Sequence, residues 1–378
     1  MNQLKNWMIN RFGPACLAGI TVSDWLSLLI ENRFRISPRY WGKVPYLSVS
    51  SVCTSAIGLA ESAVHGRGIK NTESHTPLMI VGSWRSGTTF LHTLMCLDQQ
   101  FGSPSLFQTM YPHSFILSEP WLRPMLELGT PTKRFMDNMA MNLQEPHEDE
   151  MALAIMSGRS NMLSWAFPRN AVRYDKFLDF NGTSDADQQK WKDAFAQFVQ
   201  KMSYRTGKPQ VLKSPNHTAR IRLLLELYPD AKFLHIYRNP YSVFRSMVHM
   251  ATAVTQVWGL QYFPPAEIPE MVVETYKRLY DAYLDEKSLI PDGQLTEIRY
   301  EDFAPAPVET LERVYSDLSL PGFDAAKPLL EEHVAQRAAY KRNKHKPIDP
   351  NHIRLINDRW SRMFEEFGYE KQSPDADA

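Results

Sequence analysis

Leu78-Met79-Ile80-Val81-Gly82-Ser83-Trp84-Arg85-Ser86-Gly87-Thr88-Thr89-Phe90-Leu91-His92 is the stretch around which the chain is organised. Leu78 to Val81 are four apolar residues and predict a short buried strand. Gly82 to Thr89 predict a tight turn bracketed by glycines, and Phe90 to Leu97 resume apolar residues at helical spacing. Strand, tight loop and helix N-terminus together aim backbone N–H groups and a positive dipole end at one point, a geometry suited to phosphate or sulfate. Gly82 and Gly87 let the backbone approach the anion. Ser86, Thr88 and Thr89 offer hydroxyls, and Arg85 adds a permanent charge with forked donors. The spacing Gly82-x4-Gly87 is that of a Walker A loop, but Thr88 stands where an NTPase carries its phosphate-binding lysine.

The rest of the composition narrows the partners. Across 378 residues, 43% are hydrophobic and 22% charged, enough for an ordinary globular core. Lys plus Arg balance Asp plus Glu at 42 each, so no global field draws the chain to nucleic acid and an anion site must be a local cluster. Three cysteines, Cys16, Cys53 and Cys96, are widely spaced and lack metal-ligand spacing, which predicts buried free thiols in a reducing compartment. The N-terminus has no apolar h-region with a small-residue cleavage site. No charge-free apolar run reaches the ~18 residues of a spanning helix. The expectation is a cytoplasmic protein, soluble or peripherally attached to a membrane.

Residues 1–75 are expected to form a helical segment before the core. Thr21-Val22-Ser23-Asp24 has a capping-box pattern, and Val22, Trp25, Leu26 and Leu29 recur at helical spacing. A second apolar stretch, Tyr46 to Val64, carries Val52, Ala56, Ile57 and Leu59 among serines. The preferred reading is a helical cover over the edge of the core. The alternative is an interfacial patch in which Trp7, Trp25, Tyr40 and Trp41, near Lys and Arg, touch a membrane or an oligomer partner. Residues 76–370 are expected to be the α/β domain and 371–378 a polar tail.

Within that domain, Phe101 to Pro124 is rich in aromatics, proline and serine and suits the wall of an acceptor pocket or a long connection. Leu122 to Asn142 is expected to be helical on either side of Gly129-Thr130-Pro131. Pro146 with the carboxylates of Glu145, Glu148, Asp149 and Glu150 predicts a helix start. Residues 185–205 predict a helix with Trp191, Phe195 and Phe198 on one face. Val211 to His217 predict a strand running into a loop, and further strands are expected at Lys232–Tyr237 and Leu295–Arg299, with helices over Thr218–Tyr228, from Pro240 through Ser246, over Val308–Leu318 and over His352–Phe367. Strands alternating with helices predict an α/β fold: a P-loop-like parallel β-sheet flanked by helices, with phosphate loops at the strands' carboxyl ends.

A second anion motif follows the strand at Phe233-Leu234-His235-Ile236-Tyr237. Arg238 leaves it and can clamp a phosphate bidentately, Pro240 starts a helix, and Ser246 lies about two turns along. Together the loop at Gly82–Thr89 and the run Arg238-Asn239-Pro240…Ser246 resemble the 5′-phosphosulfate and 3′-phosphate motifs of the sulfotransferase family. The donor in that family is 3′-phosphoadenosine 5′-phosphosulfate (PAPS). The resemblance covers roughly Pro77 to Phe367 and extends to Leu212-Lys213-Ser214-Pro215-Asn216-His217 and to Arg299-Tyr300-Glu301-Asp302-Phe303, where Phe303 replaces the family's leucine. It implies that Arg85, Ser86, Gly87, Thr88, Thr89, Arg238 and Ser246 bind the donor. Lys341 and Arg342, in the basic stretch ending at Lys346, would then belong to a loop that closes over it.

Sulfuryl transfer is mostly positioning and charge stabilisation, with acceptor and leaving oxygens roughly in line. Arg85 and the loop N–H groups would meet the leaving 5′-phosphate, and Lys213 the equatorial oxygens. The acceptor needs a base, and Glu145–Glu150 supplies candidates. The resemblance favours Glu148, with His147 and Glu150 next; His217 could act as the base or orient the acceptor. The structural reading of these acids is simply a helix N-terminus. No metal is expected. The competing functions are a nucleotide kinase or NTPase, against which Thr88 stands, and a non-catalytic scaffold. The acceptor, a small molecule, carbohydrate or lipid carrying a hydroxyl or amine, is not readable from the sequence.

Overall fold

The computed structural model describes residues 17–128, 142–337 and 347–374. The elements that build it include, in chain order, α1 (Val22–Glu31), α2 (Lys43–Asn71), β1 (Leu78–Val81), α3 (Thr88–Met95), α4 (Phe115–Glu127), α5 (Glu150–Ser157), α6 (Asp185–Thr206) and β2 (Val211–Lys213). They continue with β3 (Lys232–Tyr237), α7 (Pro240–Trp258), α8 (Ile268–Glu286), β4 (Leu295–Arg299), α9 (Pro307–Asp317), α10 (Phe323–Arg337), α11 (Pro350–Arg359) and α12 (Ser361–Phe367). The chain folds into two compact units. A helical unit takes in Met1–His75, Pro104–Gly207 and Thr252–Pro265; a sheet unit takes in Thr76–Ser103, Lys208–Ala251 and Ala266–Ala378. Residues 104–207 and 252–265 therefore group with the N-terminal residues, apart from the sheet.

The sheet unit holds four parallel strands in the order β2-β1-β3-β4. β1 is apolar at every position and buried at every position, as a strand with neighbours on both edges and cover on both faces must be. Leu78 and Ile80 of β1 join Leu91 and Leu94 of α3, Leu234 and Ile236 of β3, and Leu311 and Val314 of α9 in one core. Each such buried side chain contributes about 1.5–3 kcal/mol relative to exposure. β4 is an edge strand and alternates, burying Thr296 and Ile298. Phe303, in place of the family's leucine, is fully buried in the same core, so the larger side chain is absorbed by packing.

Parallel strands need crossovers. From β1 the chain leads to β2 on one side; from β2 it passes to β3 on the other side of β1. The direction reverses there, and the loops after β1 and β3 flank the crevice that such a reversal opens at the carboxyl edge. α7 starts as expected at Pro240, with Asn239 Oδ1 accepting from the Ser242 N–H at 3.1 Å. The last helix is two: the chain bends at Trp360, which is buried and donates from Nε1 to the Val273 carbonyl at 3.0 Å. The helix expected over Thr218–Tyr228 is a 3₁₀ segment, Pro215–Ala219, followed by Ile221–Leu227.

In the helical unit, α1 starts on Thr21, whose Oγ1 accepts from the Asp24 N–H at 3.2 Å. α6 buries Trp191, Phe195 and Phe198 on one face. α5 begins at Glu150, later than Pro146 suggested. The reason is backbone pairing: Leu106 N–H donates to the Glu145 carbonyl at 3.0 Å and His147 N–H to the Pro104 carbonyl at 2.9 Å, an isolated bridge that pairs Pro146 with Ser105.

α2 mixes polar and apolar residues on both of its sides. It buries Lys43, Leu47, Ser51, Thr54 and Glu61, while Val49, Val52, Leu59 and Val64 are exposed. Its polar residues have partners within the unit: Lys43 Nζ donates to the carbonyls of Val257 and Gly259, and Glu61 pairs with Lys201 at 2.5 Å. By length and composition alone α2 is also long and apolar enough to cross a membrane, although its charge-free run is bounded by Lys43 and Glu61 and stays below the ~18 residues expected of a spanning helix. Cys53 is exposed on it and Cys96 half-buried, so the thiols are free but not both enclosed. Cys16, Trp7 and Gly129–Pro131 lie outside the described residues.

Candidate functional site

The loop after β1 is built by its glycines. Gly82 has φ +137° and Gly87 φ +109°, conformations that favour glycine. A Cβ on Gly82 would lie 2.2 Å from the Ile236 carbonyl oxygen, and one on Gly87 2.4 Å from the Tyr300 ring. Ser86 Oγ donates back to the Ser83 carbonyl at 2.8 Å and closes the turn. Gly82 N–H donates to Thr218 Oγ1 at 2.7 Å, tying this loop to the one after β2. Gly87 is the N-cap of α3 and brings no capping side chain, so Thr88 and Thr89 open the helix at the mouth of the crevice.

Arg85 sits at φ +68°, a left-handed conformation that costs a non-glycine residue about 1–2 kcal/mol. It directs its side chain away from its own loop: Nε donates to Ser246 Oγ of α7 at 2.8 Å. Arg238, just past β3, returns the link by donating to the Arg85 carbonyl at 3.2 Å. Its guanidinium lies 4.2 Å from the centroid of the Tyr300 ring, close enough for a cation–π contact that fixes its plane. The structure thus brings Arg85, Ser86, Gly87, Thr88, Thr89, Arg238 and Ser246 together at the carboxyl edge of β1 and β3. Two guanidinium groups, hydroxyls and a helix N-terminus converge there, a set suited to a ligand with more than one anionic group.

Lys213 ends β2, opposite Ile80 of β1, and is buried. Its charge acts on the neighbouring Cys96 thiol, which burial pushes up to about 12 against the smaller opposing effects of Ser103 and Lys213. His217 is fully buried in the 3₁₀ turn whose next residue, Thr218, holds Gly82. Lys213 and His217 therefore belong to the same unit and the same sheet edge as the phosphate loop. Glu148 and His147 belong to the helical unit and are half-buried ahead of α5. Glu150 is fully buried and accepts from Ser160 Oγ, which makes it part of the helix start. Lys341 and Arg342 lie outside the described residues.

Tyr300, quoted above within the run Arg299–Phe303 but given no role there, is the platform under Arg238 and the wall against Gly87. Thr218, which anchors the Gly82 N–H, escaped the sequence reading as a site residue. Both follow a strand at the carboxyl edge, and for Thr218 that position is the available signal. Among the described residues, no group of three or more His, Cys, Asp or Glu is arranged to hold a metal ion. Within the helical unit, a cavity of about 520 Å³ is lined in part by Glu61, Pro112, His113, Met156 and Lys201.

The sequence profile of the Sulfotransferase family matches residues 77–325. Over 375 residues the chain is 34% identical to omega-hydroxy-beta-dihydromenaquinone-9 sulfotransferase Stf3 of Mycobacterium bovis, a match covering 99% of this chain and 96% of the relative. The Stf3 protein of Mycobacterium tuberculosis matches to the same extent. Among solved structures, sulfotransferase STF9 from Mycobacterium avium superposes with a TM-score of 0.67 at 16% identity, covering 93% of this chain and 98% of that one. Sulfotransferase STF1 from Mycobacterium tuberculosis gives a TM-score of 0.62 at 16% identity, covering 90% and 92%. At that identity the two structures speak to the fold alone.

Proposed function

The chain belongs to the sulfotransferase family, and on that premise we propose that it moves a sulfuryl group from PAPS to a hydroxyl of a lipid acceptor. The observation that carries the donor assignment is the bond from Arg85 to Ser246, which joins the two anion motifs into one site. PAPS carries anionic groups at both the 5′ and the 3′ position of its ribose, and the two loops offer one cationic side chain each. Arg85, Ser86, Gly87, Thr88 and Thr89 would hold the 5′-phosphosulfate, and Arg238 with Ser246 the 3′-phosphate. Lys341 and Arg342 are retained as donor contacts on the resemblance alone.

In the proposed reaction the acceptor oxygen attacks sulfur, the bond from sulfur to the 5′-phosphate oxygen breaks, and adenosine 3′,5′-bisphosphate leaves. Arg85 and Lys213 stabilise the charge on the leaving and equatorial oxygens. The acceptor proton passes to a base, for which Glu148 is proposed, with His147 and His217 as the other candidates. A lipid acceptor is supported by Stf3, whose name gives it a hydroxylated menaquinone derivative as substrate. Such a substrate resides in a bilayer, so the enzyme would meet it at a membrane surface. The free thiols Cys53 and Cys96 fit a reducing, cytoplasmic compartment.

The donor reading is tested by thermal stabilisation with adenosine 3′,5′-bisphosphate beside ADP and ATP. A ligand of the native state raises the melting temperature according to its affinity. Stabilisation by the 3′-phosphorylated nucleotide above the other two is expected; equal or greater stabilisation by ATP would overturn the donor assignment. Transfer of labelled sulfate from PAPS to an omega-hydroxylated dihydromenaquinone then tests the acceptor class.

A further inference from the structure

α2 does not gather its apolar residues on the buried side, as a helix that lies against water ordinarily does. A surface helix ordinarily turns its apolar stripe to the core and its polar face outward. Here the buried face carries Lys43, Ser51, Thr54 and Glu61 around Leu47, and the outward face carries Val49, Val52, Ala56, Leu59, Ala63 and Val64 with Cys53 and Ser62 among them. The exposures of Val49, Val52, Leu59 and Val64 are 66%, 58%, 75% and 68%. Val49, Val52, Ala56, Leu59 and Ala63 follow one another at intervals of three and four, which keeps them on one side, and Val64 adjoins the last of them, about 22 Å of helix from Val49. Single exposed apolar side chains are ordinary, but a continuous stripe calls for a cover. The preceding segment adds Leu26 and Ile30 on α1, then Phe34 and Trp41, all exposed.

We propose that this stripe is a membrane-docking face, with α2 lying in the plane of an anionic bilayer and its outward side immersed at the boundary of headgroups and acyl chains. Charge supports that occupant. Between Asn32 and Thr72 the exposed charged residues are Arg33, Arg35, Arg39, Arg67 and Lys70, basic without exception. They bracket the stripe at both ends, where anionic headgroups would meet them. The single acid of the segment, Glu61, points inward to Lys201. Trp41 stands at the basic N-terminal end, with its indole N–H donating to the Ile36 carbonyl, in the kind of position interfacial tryptophans take.

Two other occupants fit less well. A spanning helix would have to surround Lys43 and Glu61 with lipid and give up their bonds to Gly259 and Lys201. A second copy packed stripe to stripe, parallel or antiparallel, would set basic ends against basic ends. Surface attachment keeps every inward bond and uses both charged ends. The proposal stands on α1 and α2 alone and does not depend on the identity of donor or acceptor.

The test is co-sedimentation of the full-length protein with vesicles of phosphatidylcholine alone and of phosphatidylcholine with phosphatidylglycerol. The expected result is binding to the anionic vesicles and much weaker binding to the neutral ones. The double variant Val52→Glu/Val64→Glu should lower anionic-vesicle partition by at least about tenfold, since a carboxylate is strongly disfavoured where an apolar face enters lipid. It should keep the wild-type circular dichroism and melting temperature, which report an intact fold without reference to any ligand. Arg67→Glu/Lys70→Glu, which leaves the apolar stripe whole, should lower binding to anionic vesicles only. Wild-type protein that ignores both vesicle types, or a glutamate stripe variant that binds like wild type, overturns the proposal. So does a lipid-free dimer that Val52→Glu/Val64→Glu converts to monomer. Absence of sulfate transfer to any lipid would leave it standing.

Discussion

Arg85 Nε donates to Ser246 Oγ at 2.8 Å, although the two residues are 161 positions apart. Arg85 lies in the loop after β1 and Ser246 in α7 after β3, so the bond bridges the point where the order of strands reverses. Arg238 adds a second link by donating to the Arg85 carbonyl. The two anion motifs are therefore mechanically one. Displacing either loop moves a charged group of the other.

Because Arg85 holds a left-handed φ of +68°, its replacement separates conformational cost from lost function. Arg85→Gly should be about 1 kcal/mol more stable than Arg85→Ala in urea denaturation, since glycine accepts that φ without a Cβ clash. Both variants should bind adenosine 3′,5′-bisphosphate at least about tenfold more weakly by calorimetry, the scale of a lost hydrogen bond to a charged group. Wild-type affinity in either folded variant would remove Arg85 from the donor site.

Gly87→Ala places a methyl group 2.4 Å from the Tyr300 ring at a φ of +109°. The ring must move, and Arg238 then loses the surface that sets its plane. A loss of about 1–3 kcal/mol in stability is expected, with weakened nucleotide binding. Gly87→Ala/Tyr300→Ala should recover part of the stability but not the binding. Equal damage in the single and double variants would show that the φ, and not the ring, carries the cost.

The legible parts of the chain were those whose logic is local. β1 could be read because all its residues are apolar, and its loop because Gly82 and Gly87 sit where the backbone needs positive φ. Arg238-Asn239-Pro240 was readable because the cap and the proline mark the start of α7 within three residues. What could not be read depends on partners far away in sequence. α2 leaves Val49, Val52, Leu59 and Val64 exposed while Lys43 finds buried carbonyls at Val257 and Gly259 and Glu61 finds Lys201. Periodicity alone reports that a helix has two faces, not which one the fold will bury. Pro146 looked like a helix start until the backbone of Pro104 and Leu106 claimed its neighbours. The run Arg299–Phe303 marked the neighbourhood of Tyr300, but its place under Arg238 and against Gly87 comes from where β4 ends.

Glu148 is tested by separating binding from chemistry. Glu148→Gln keeps the shape and removes the proton acceptor, so adenosine 3′,5′-bisphosphate should stabilise it as it does wild type. Turnover with PAPS and acceptor should fall by about 10²–10⁴, the usual contribution of a general base. Near-wild-type turnover would pass the role to His147 or His217, each then testable by the same split between binding and rate.

His113 makes the helical unit acid-sensitive in a defined window. Burial pushes its imidazole down to about 4; the nearby Lys201 ammonium pushes the same way, while Asp24 and the Ile155 carbonyl oppose. Its Nε2 is buried with no hydrogen-bond partner among the described residues, so a proton placed there would find no acceptor. The folded-state value lies below the ordinary histidine value of 6.5, so the folded protein binds this proton less readily than the unfolded chain. The neutral ring's contribution is therefore complete above pH 6.5 and is lost progressively as pH falls from there to about 4, amounting to about 3 kcal/mol. His113→Gln removes that titration. The stability difference between wild type and His113→Gln, read from urea midpoints, should shrink between pH 6.5 and 4 and level off below. A difference that stays constant across the window would mean that the folded imidazole accepts its proton as readily as the unfolded one, and burial at this position would not be the source of acid sensitivity.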